Sequence, residues 1–329
     1  MRVSVHIVTY QSWPDILEAL RSLECQTFTD FRVVVVDNAS NDETVKSISS
    51  EYGNRIAMLR NFQNLGFATA HNQAIELARR GKSEYVLVMN PDVILFPTTL
   101  DELVGCANRH GRIGAIAPRL LRPPGSSIDS TGTRCRRSFY VFDRGSGKPE
   151  VGNYLREEEV FGCSGALALY RLAALEDVRL GSEYFDTDFF SYKEDVDLSW
   201  RLRLRGFEIW YAPKAIALHT RRTRGSPEEG FLRMRASRIA RSPAIICWSY
   251  RNHLWVLLKN LHWSLAFQHS PWLCTREILK ALYLSIFEFT PWRLGLVQAL
   301  KGLPRMLRKR QSIMSSASIS SQQMRKWFE

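Results

Sequence analysis

The chain has 329 residues, 45% hydrophobic and 24% charged, with a formal net charge of +12 at pH 7. That balance allows one large domain or two smaller ones with a real core, and it excludes a disordered chain. The six cysteines, at positions 25, 106, 135, 163, 247 and 274, form no CxxC pair, which excludes that zinc or redox motif, argues against a disulfide framework and points to a reducing cytosol.

The first two hundred residues read as alternating strands and helices. The N-terminus, Met1–Tyr10, alternates too much and is too short for a signal peptide, and Val3–Val8 within it reads as a strand. Pro14–Leu23 reads as a helix with Ser12 as its N-cap. Phe31–Val36 is a continuous apolar run, as expected of a strand buried on both faces. Asp37-Asn38-Ala39-Ser40-Asn41-Asp42 supplies turn and cap chemistry for a helix over Glu43–Tyr52. A short strand Ile56–Arg60, a helix Phe67–Arg79 closed by Gly81, and buried strands Tyr85–Met89 and Ile113–Ala117 follow. Residues 122–158, rich in Arg, Gly, Ser and Pro, read as a long irregular excursion. Gly162-Cys163-Ser164-Gly165-Ala166 precedes an apolar strand, Leu167–Tyr170. Cys163 has no histidine or acid arranged to activate it and reads as packing.

This order of elements predicts a nucleotide-binding sheet, yet no glycine precedes Gly53. The first strand-to-helix turn is Thr9-Tyr10-Gln11-Ser12-Trp13, so both the glycine-rich dinucleotide turn and the P-loop are absent. Phosphate binding then calls for a metal and side chains. Two acidic stretches stand out. Asn90-Pro91-Asp92 ends a buried strand, where open α/β sheets place their ligand crevice. Glu194-Asp195-Val196-Asp197 opens a helix after the aromatic run Phe189-Phe190-Ser191-Tyr192. Alone, the first is good turn chemistry and the second stabilises a helix N-terminus.

Five blocks occur in one order: Val8-Thr9-Tyr10, Val36-Asp37-Asn38-Ala39-Ser40, Asn64-Leu65-Gly66-Phe67-Ala68, Asn90-Pro91-Asp92, and Glu194 through Arg201. Together they resemble family 2 glycosyltransferases of the GT-A fold, in wording similar to the bacterial rhamnosyltransferase branch, over roughly residues 1–220. The resemblance implies an α/β fold with a nucleotide-sugar-binding mixed sheet flanked by helices. It implies that Thr9 and Asp37 flank the nucleoside and that Asn64 and Gly66 lie near the diphosphate. Asn90-Pro91-Asp92 matches the DxD element with its first carboxylate replaced by an amide. Asn90 would bond a ribose hydroxyl, and Asp92 would hold Mg²⁺ or Mn²⁺. His219, ending the strand-like run Ala215–Leu218, would join Asp92 on the metal and favour Mn²⁺. Arg221, Arg222 and Arg224 would meet diphosphate oxygens. Asp195 would be the base, with Glu194 beside it raising the pKa of one of the pair. His71 receives no role. The implied activity is inverting transfer of a sugar from a dTDP- or UDP-sugar, best dTDP-L-rhamnose, to a glycan on a polyprenyl lipid or to a polysaccharide. A catalytically silent sugar-binding relative is disfavoured because Asp195 is present, and a nucleotidyltransferase because its glycine-rich first loop is missing.

Beyond residue 221 the composition shifts. Residues 221–310 hold 17 Lys and Arg against 4 Asp and Glu, and five of the nine tryptophans. A nucleic-acid-binding protein would fit that charge but not the acids at strand and helix ends, so no nucleic acid is expected. Helix-period apolar residues recur, including Trp248, Trp255, Leu258, Ile278, Leu282 and Ile286, and Pro271, Pro291 and Pro304 divide them into helix-length pieces. Two readings stay open: a helical subdomain on the sheet, or helices lying in an anionic membrane interface with Lys301, Arg305, Arg308, Lys309 and Arg310 against headgroups. The second places the protein in the cytoplasm, on the inner membrane face. Residues 311–329, rich in Ser and Gln, are expected to be disordered.

Overall fold

The structure, a computed structural model, describes residues 1–221 and 242–328. Its strands are β1 (Val3–Thr9), β2 (Phe31–Asp37), β3 (Ala57–Arg60), β4 (Tyr85–Met89), β5 (Val93–Leu95), β6 (Ile113–Arg122), β7 (Ser127–Ser130), β8 (Thr133–Cys135), β9 (Val141–Asp143), β10 (Glu158–Glu159), β11 (Leu167–Arg171) and β12 (Glu208–His219). Among the described residues they form a ten-stranded mixed sheet of order β10-β12-β6-β11-β4-β1-β2-β3, with β5 on β12 and β7 on β6, and a separate β8–β9 pair. β1 runs parallel to both β2 and β4. The chain therefore leaves β1 toward β2 on one side and returns to β4 on the other. That reversal opens a crevice at the carboxyl ends of these strands.

The central strands bury both faces. In β4, Tyr85, Leu87 and Met89 join a core with Ile16, Leu20 and Leu103, from helices α1 (Asp15–Glu24) and α4 (Thr99–Arg109). α2 (Thr44–Tyr52) adds Ile48 and Tyr52 to the same core. Val86 and Val88 face the other way, onto Ala68, Ile75, Leu172 and Leu198 of α3 (Gly66–Arg80), α5 (Leu172–Asp177) and α6 (Glu194–Leu204). Period-two alternation in a fully apolar run is the signature of such a strand. The Ser12 hydroxyl does not cap α1: it accepts the backbone N–H of Tyr10, and Pro14 occupies the cap position.

Two expectations need correction. The excursion 122–158 contributes β7 to the main sheet and forms the β8–β9 hairpin. The tail is ordered: α10 (Phe289–Ser316) runs through Pro304 without ending, and α11 (Ser321–Met324) follows behind a Ser320–Gln323 capping box. Ile313, Met324 and Phe328 are buried in a third core with Phe139, Phe161, Trp200 and Trp255. Those apolar anchors, thinly spread among Ser and Gln, outweigh the chain entropy of ordering the tail. Helices α7 (Pro243–Asn260), α8 (Trp263–Gln268) and α9 (Ser270–Phe287) complete the C-terminal region. Among the described residues, no helix is long and apolar enough to cross a membrane.

Candidate functional site

Parallel pairing sets Thr9 opposite Asp37 at the ends of β1 and β2. The Thr9 hydroxyl donates to Asp37 Oδ1 at 3.1 Å, and Asp37 Oδ2 accepts the N–H of Ser40 at 3.1 Å. Asp37 thus serves the following turn while lying at the crevice. Asn38 reaches from the same turn to the carbonyl of Gly66 at 3.1 Å. Asn64, exposed, accepts the Gly66 N–H at 2.9 Å. Gly66 has φ +79, and a Cβ there would sit 2.4 Å from the carbonyl oxygen of Phe190. Only glycine fits this left-handed, close-approach position. The Phe67 N–H donates to the same carbonyl at 2.7 Å, so the loop of Asn64 and Gly66 touches the loop that precedes Glu194.

The second half of the site hangs on β12. Its antiparallel pairing with β5 sets His219 opposite Val93, the residue after Asp92. His219 Nε2 then lies 3.5 Å from Asp92 Oδ1, and its Nδ1 lies 2.8 Å from Asp129 Oδ2. Asp129, on β7 and fully buried, also takes Arg122 at 3.2 Å and Arg221 at 2.5 Å. Burial opposes ionisation of Asp129, but His219 and Arg221 hold its carboxyl down at about 2. Burial likewise opposes the charged imidazole, yet hydrogen bonds to Asp129 and Asp92 raise His219 to about 9. Without a metal the ring therefore carries a proton on Nε2 toward Asp92 as well as on Nδ1 toward Asp129. A cation beside Asp92 would displace the Nε2 proton, and a carboxylate on Nδ1 is the usual second partner of a metal-binding histidine. A carboxylate and an oriented imidazole at this spacing fit a divalent cation. Asp129 escaped the sequence reading because its strand, Ser127-Ile128-Asp129-Ser130, is short and its partners are remote in sequence. Arg221 is held by Asp129 and Asp143; Arg222 and Arg224 lie outside the described residues.

Between the halves stands the acidic helix start. The Asn90 N–H donates to Ala166 O at 2.8 Å, and the next residue back, Gly165, donates its N–H to Asp195 Oδ2 at 2.9 Å. Asn90, Asp92 and Asp195 are thereby tied through one short turn. Asp195 remains partly exposed, while Glu194 is buried. Burial, then the adjacent Asp195 charge, pushes the Glu194 carboxyl up to about 8. Glu194 is therefore neutral at pH 7. Asp197 is committed elsewhere: it pairs with Arg201 at 2.9 Å and Lys259 at 2.8 Å, and accepts from Asn260 at 2.8 Å. Of the aromatic run, Phe189 is core, stacked on Trp255, while Phe190 and Tyr192 are partly exposed. His71 is buried between Phe67 and Phe185, and burial drops its imidazole to about 3, which keeps it neutral. Cys163 is fully buried, as expected for packing.

The loop that delivers Glu194 and Asp195 is held from α7. Phe190, Tyr192 and Lys193 have φ of 61°, 72° and 73°, a region that non-glycine residues rarely adopt. Fully buried Asn252 donates from Nδ2 to the carbonyls of Phe189, Ser191 and Tyr192 at 3.0, 2.9 and 2.7 Å. Arg251 donates to the carbonyls of Asp188 and Phe189, each at 3.1 Å. Sequence reading assigned neither residue a role. Three of the supposed headgroup contacts are also used internally. Lys309 meets Glu183, Asp186 and Asp188 at 3.2, 2.5 and 2.9 Å, and Arg310 donates to the carbonyls of Leu258 and Leu261 at 2.7 and 2.8 Å. Arg305 pairs with Asp188 at 2.7 Å.

Known proteins resemble this chain in sequence and in fold. Residues 4–179 match the family model "Glycosyl transferase family 2". An N-acetylglucosaminyl-diphospho-decaprenol L-rhamnosyltransferase of Mycobacterium tuberculosis is 30% identical over 291 residues, covering 80% of this chain and 84% of that protein. A poly-beta-1,6-N-acetyl-D-glucosamine synthase of Staphylococcus epidermidis is 24% identical, covering 65% of this chain and 48% of that protein. Among solved structures, S. aureus TarS superimposes with a TM-score of 0.59 at 20% identity, over 96% of this chain and 52% of that one. A Pyrobaculum calidifontis mannosyltransferase in complex with GDP-Man and Mn²⁺ gives a TM-score of 0.50 at 18% identity, over 96% of this chain and 85% of that one. The sheet is that of the GT-A fold, and the chain belongs to glycosyl transferase family 2.

Proposed function

We propose that this glycosyltransferase moves L-rhamnose from dTDP-L-rhamnose to a sugar carried on a polyprenyl diphosphate, inverting the anomeric centre. The donor rests on the resemblance to rhamnosyltransferases and on the name of the mycobacterial relative, and so does the lipid-linked acceptor. One observation supports the chemistry above the others: partly exposed Asp195, fixed by the Gly165 N–H, is joined through Ala166 and Asn90 to the Asp92–His219–Asp129 chain.

Asp195 accepts the proton of the acceptor hydroxyl as that oxygen bonds the anomeric carbon from the face opposite the diphosphate. The bond from that carbon to the diphosphate oxygen breaks in the same displacement, and the nucleoside diphosphate leaves with the electron pair. Glu194, neutral beside Asp195, lets the pair carry one negative charge rather than two. Thr9 and Asp37 flank the base and ribose, Asn90 bonds a ribose hydroxyl, and the Asn64–Gly66 turn lies along the diphosphate at the N-terminus of α3. Asp92 and His219 would hold Mn²⁺ or Mg²⁺, which supplies positive charge against the leaving diphosphate. A lipid-linked acceptor also calls for access to an anionic membrane surface, with the protein peripheral on it.

Isothermal titration against a panel of nucleotide sugars, with Mn²⁺ and then with EDTA, tests donor and metal together. Preferred binding of dTDP-L-rhamnose that is lost in EDTA supports the reading. Preference for another sugar overturns the donor, and unchanged affinity in EDTA overturns the metal.

A further inference from the structure

Helix α9 is built inside out. A helix on a protein surface turns its apolar stripe to the core and its charges to water. In α9, Ile278, Leu279, Leu282 and Ile286 are 58%, 61%, 54% and 70% exposed, and Leu284 is the one buried residue. Their spacing puts all four on one side of the helix. The charged residues take the other side and face the protein. Arg276 and Glu277 meet the buried His253 at 3.0 and 2.9 Å, Arg276 lies over the Tyr140 ring at 4.4 Å, and Lys280 over Tyr250 at 5.1 Å. Phe287, the last residue of α9, Phe289, the first of α10, and Trp272, near the start of α9, are also exposed. An apolar surface of this extent marks an interaction site.

We infer that the outer face of α9, with Phe287 and Phe289, docks into the headgroup and acyl boundary of an anionic lipid bilayer. Charge selects this occupant. Of the eight Lys and Arg in residues 261–310, Arg276, Lys280, Lys309 and Arg310 are turned into the protein and Arg305 pairs with Asp188. Arg293, Lys301 and Arg308 face solvent against Glu288, since Glu277 is engaged by His253 and Arg276. Two copies paired through this region would set like charge against like charge, whereas anionic headgroups complement it. Arg293 and Lys301 on α10 are exposed, as is Arg308. The contact is thus an apolar insertion accompanied by basic side chains, and of the headgroup contacts expected from sequence Lys309 and Arg310 are spent inside the protein. Among the described residues no helix is long and apolar enough to cross a membrane, and the proposed contact is with the membrane surface.

This deepens the membrane part of the proposed function, but vesicle binding is measured without glycosyl transfer, so the two readings fail separately. The full chain is sedimented with vesicles of phosphatidylcholine alone and with added phosphatidylglycerol. Binding is expected to the anionic vesicles, to fall as salt rises, and to drop about tenfold or more in Ile278→Glu/Leu282→Glu/Ile286→Glu. Because those side chains are exposed, the melting temperature of the variant should not change. A second variant, Arg293→Gln/Lys301→Gln/Arg308→Gln, should lose the preference for anionic over neutral vesicles. Wild-type binding by the apolar variant overturns the proposal, as does absence of binding to either vesicle. A dimer in solution that the apolar variant disperses, with no vesicle binding, also overturns it and assigns the face to a second copy.

Discussion

Asn252→Ala should slow the enzyme without touching any group that reacts. Its amide offers two N–H protons to three carbonyls of the loop before Glu194, all within 3.0 Å. At about 1 kcal/mol per buried hydrogen bond, the restraint lost is about 2–3 kcal/mol. The loop it restrains holds three non-glycine residues at positive φ, each storing about 1–2 kcal/mol. Together that strain, about 3–6 kcal/mol, is at least as large as the restraint, so removing the restraint lets the loop leave its conformation. A loss of 2–3 kcal/mol in the productive arrangement corresponds to about a 10²-fold fall in kcat. The assay is steady-state transfer, with donor affinity measured by calorimetry and the melting temperature recorded. Donor binding should change by less than about threefold, because the nucleoside side of the crevice does not meet Asn252. Asn252→Asp matches the shape but cannot donate, and should be no better than alanine. Asn260→Ala removes a buried hydrogen bond to Asp197 and none to the loop, so it should lower stability while keeping most of kcat. Wild-type kcat in folded Asn252→Ala, or equal kcat losses in Asn252→Ala and Asn260→Ala, would refute the argument.

Asp129→Ala should weaken Mn²⁺ affinity by about 10–100-fold, read by titration calorimetry, with nucleoside binding unchanged; undiminished Mn²⁺ binding would remove Asp129 from the site. In Gly66→Ala the new methyl meets a backbone carbonyl at 2.4 Å, so both melting temperature and turnover should fall, by about 1–3 kcal/mol in stability. Glu194 has a folded pKa near 8, above its ordinary value, so the folded state binds the extra proton between about pH 5 and about pH 8. Its contribution to stability is present below that window and lost as pH rises through it. Glu194→Gln should therefore melt increasingly above wild type as pH rises, and parallel melting curves across the window would show that Glu194 is not buried as a neutral acid.

The sheet was legible because β1, β2 and β4 are short apolar runs bounded by polar turns, and their ends deliver Thr9, Asp37, Asn90 and Asp92 to one crevice. Glu194 and Asp195 stood out as acids at a helix start, and the resemblance to family 2 glycosyltransferases pointed to Asp195 as the base and to His219 at the end of its strand. What stayed hidden depends on distant partners. Asp129 gains meaning only when β7 folds back on β6 and meets β12. Lys309 looks like a surface charge until Asp186 and Asp188 surround it. Asn252 sits among apolar helix residues, and nothing local shows the strained loop above it. The tail misled because Met324, Trp327 and Phe328 are few and far from the core residues they join.

In the proposed reaction Asp195 removes the acceptor proton. Its most direct test is single-turnover transfer by Asp195→Asn at saturating donor and Mn²⁺. General-base action by Asp195 predicts a rate about 10²–10⁴-fold below wild type with donor affinity nearly unchanged. A rate equal to wild type would contradict it.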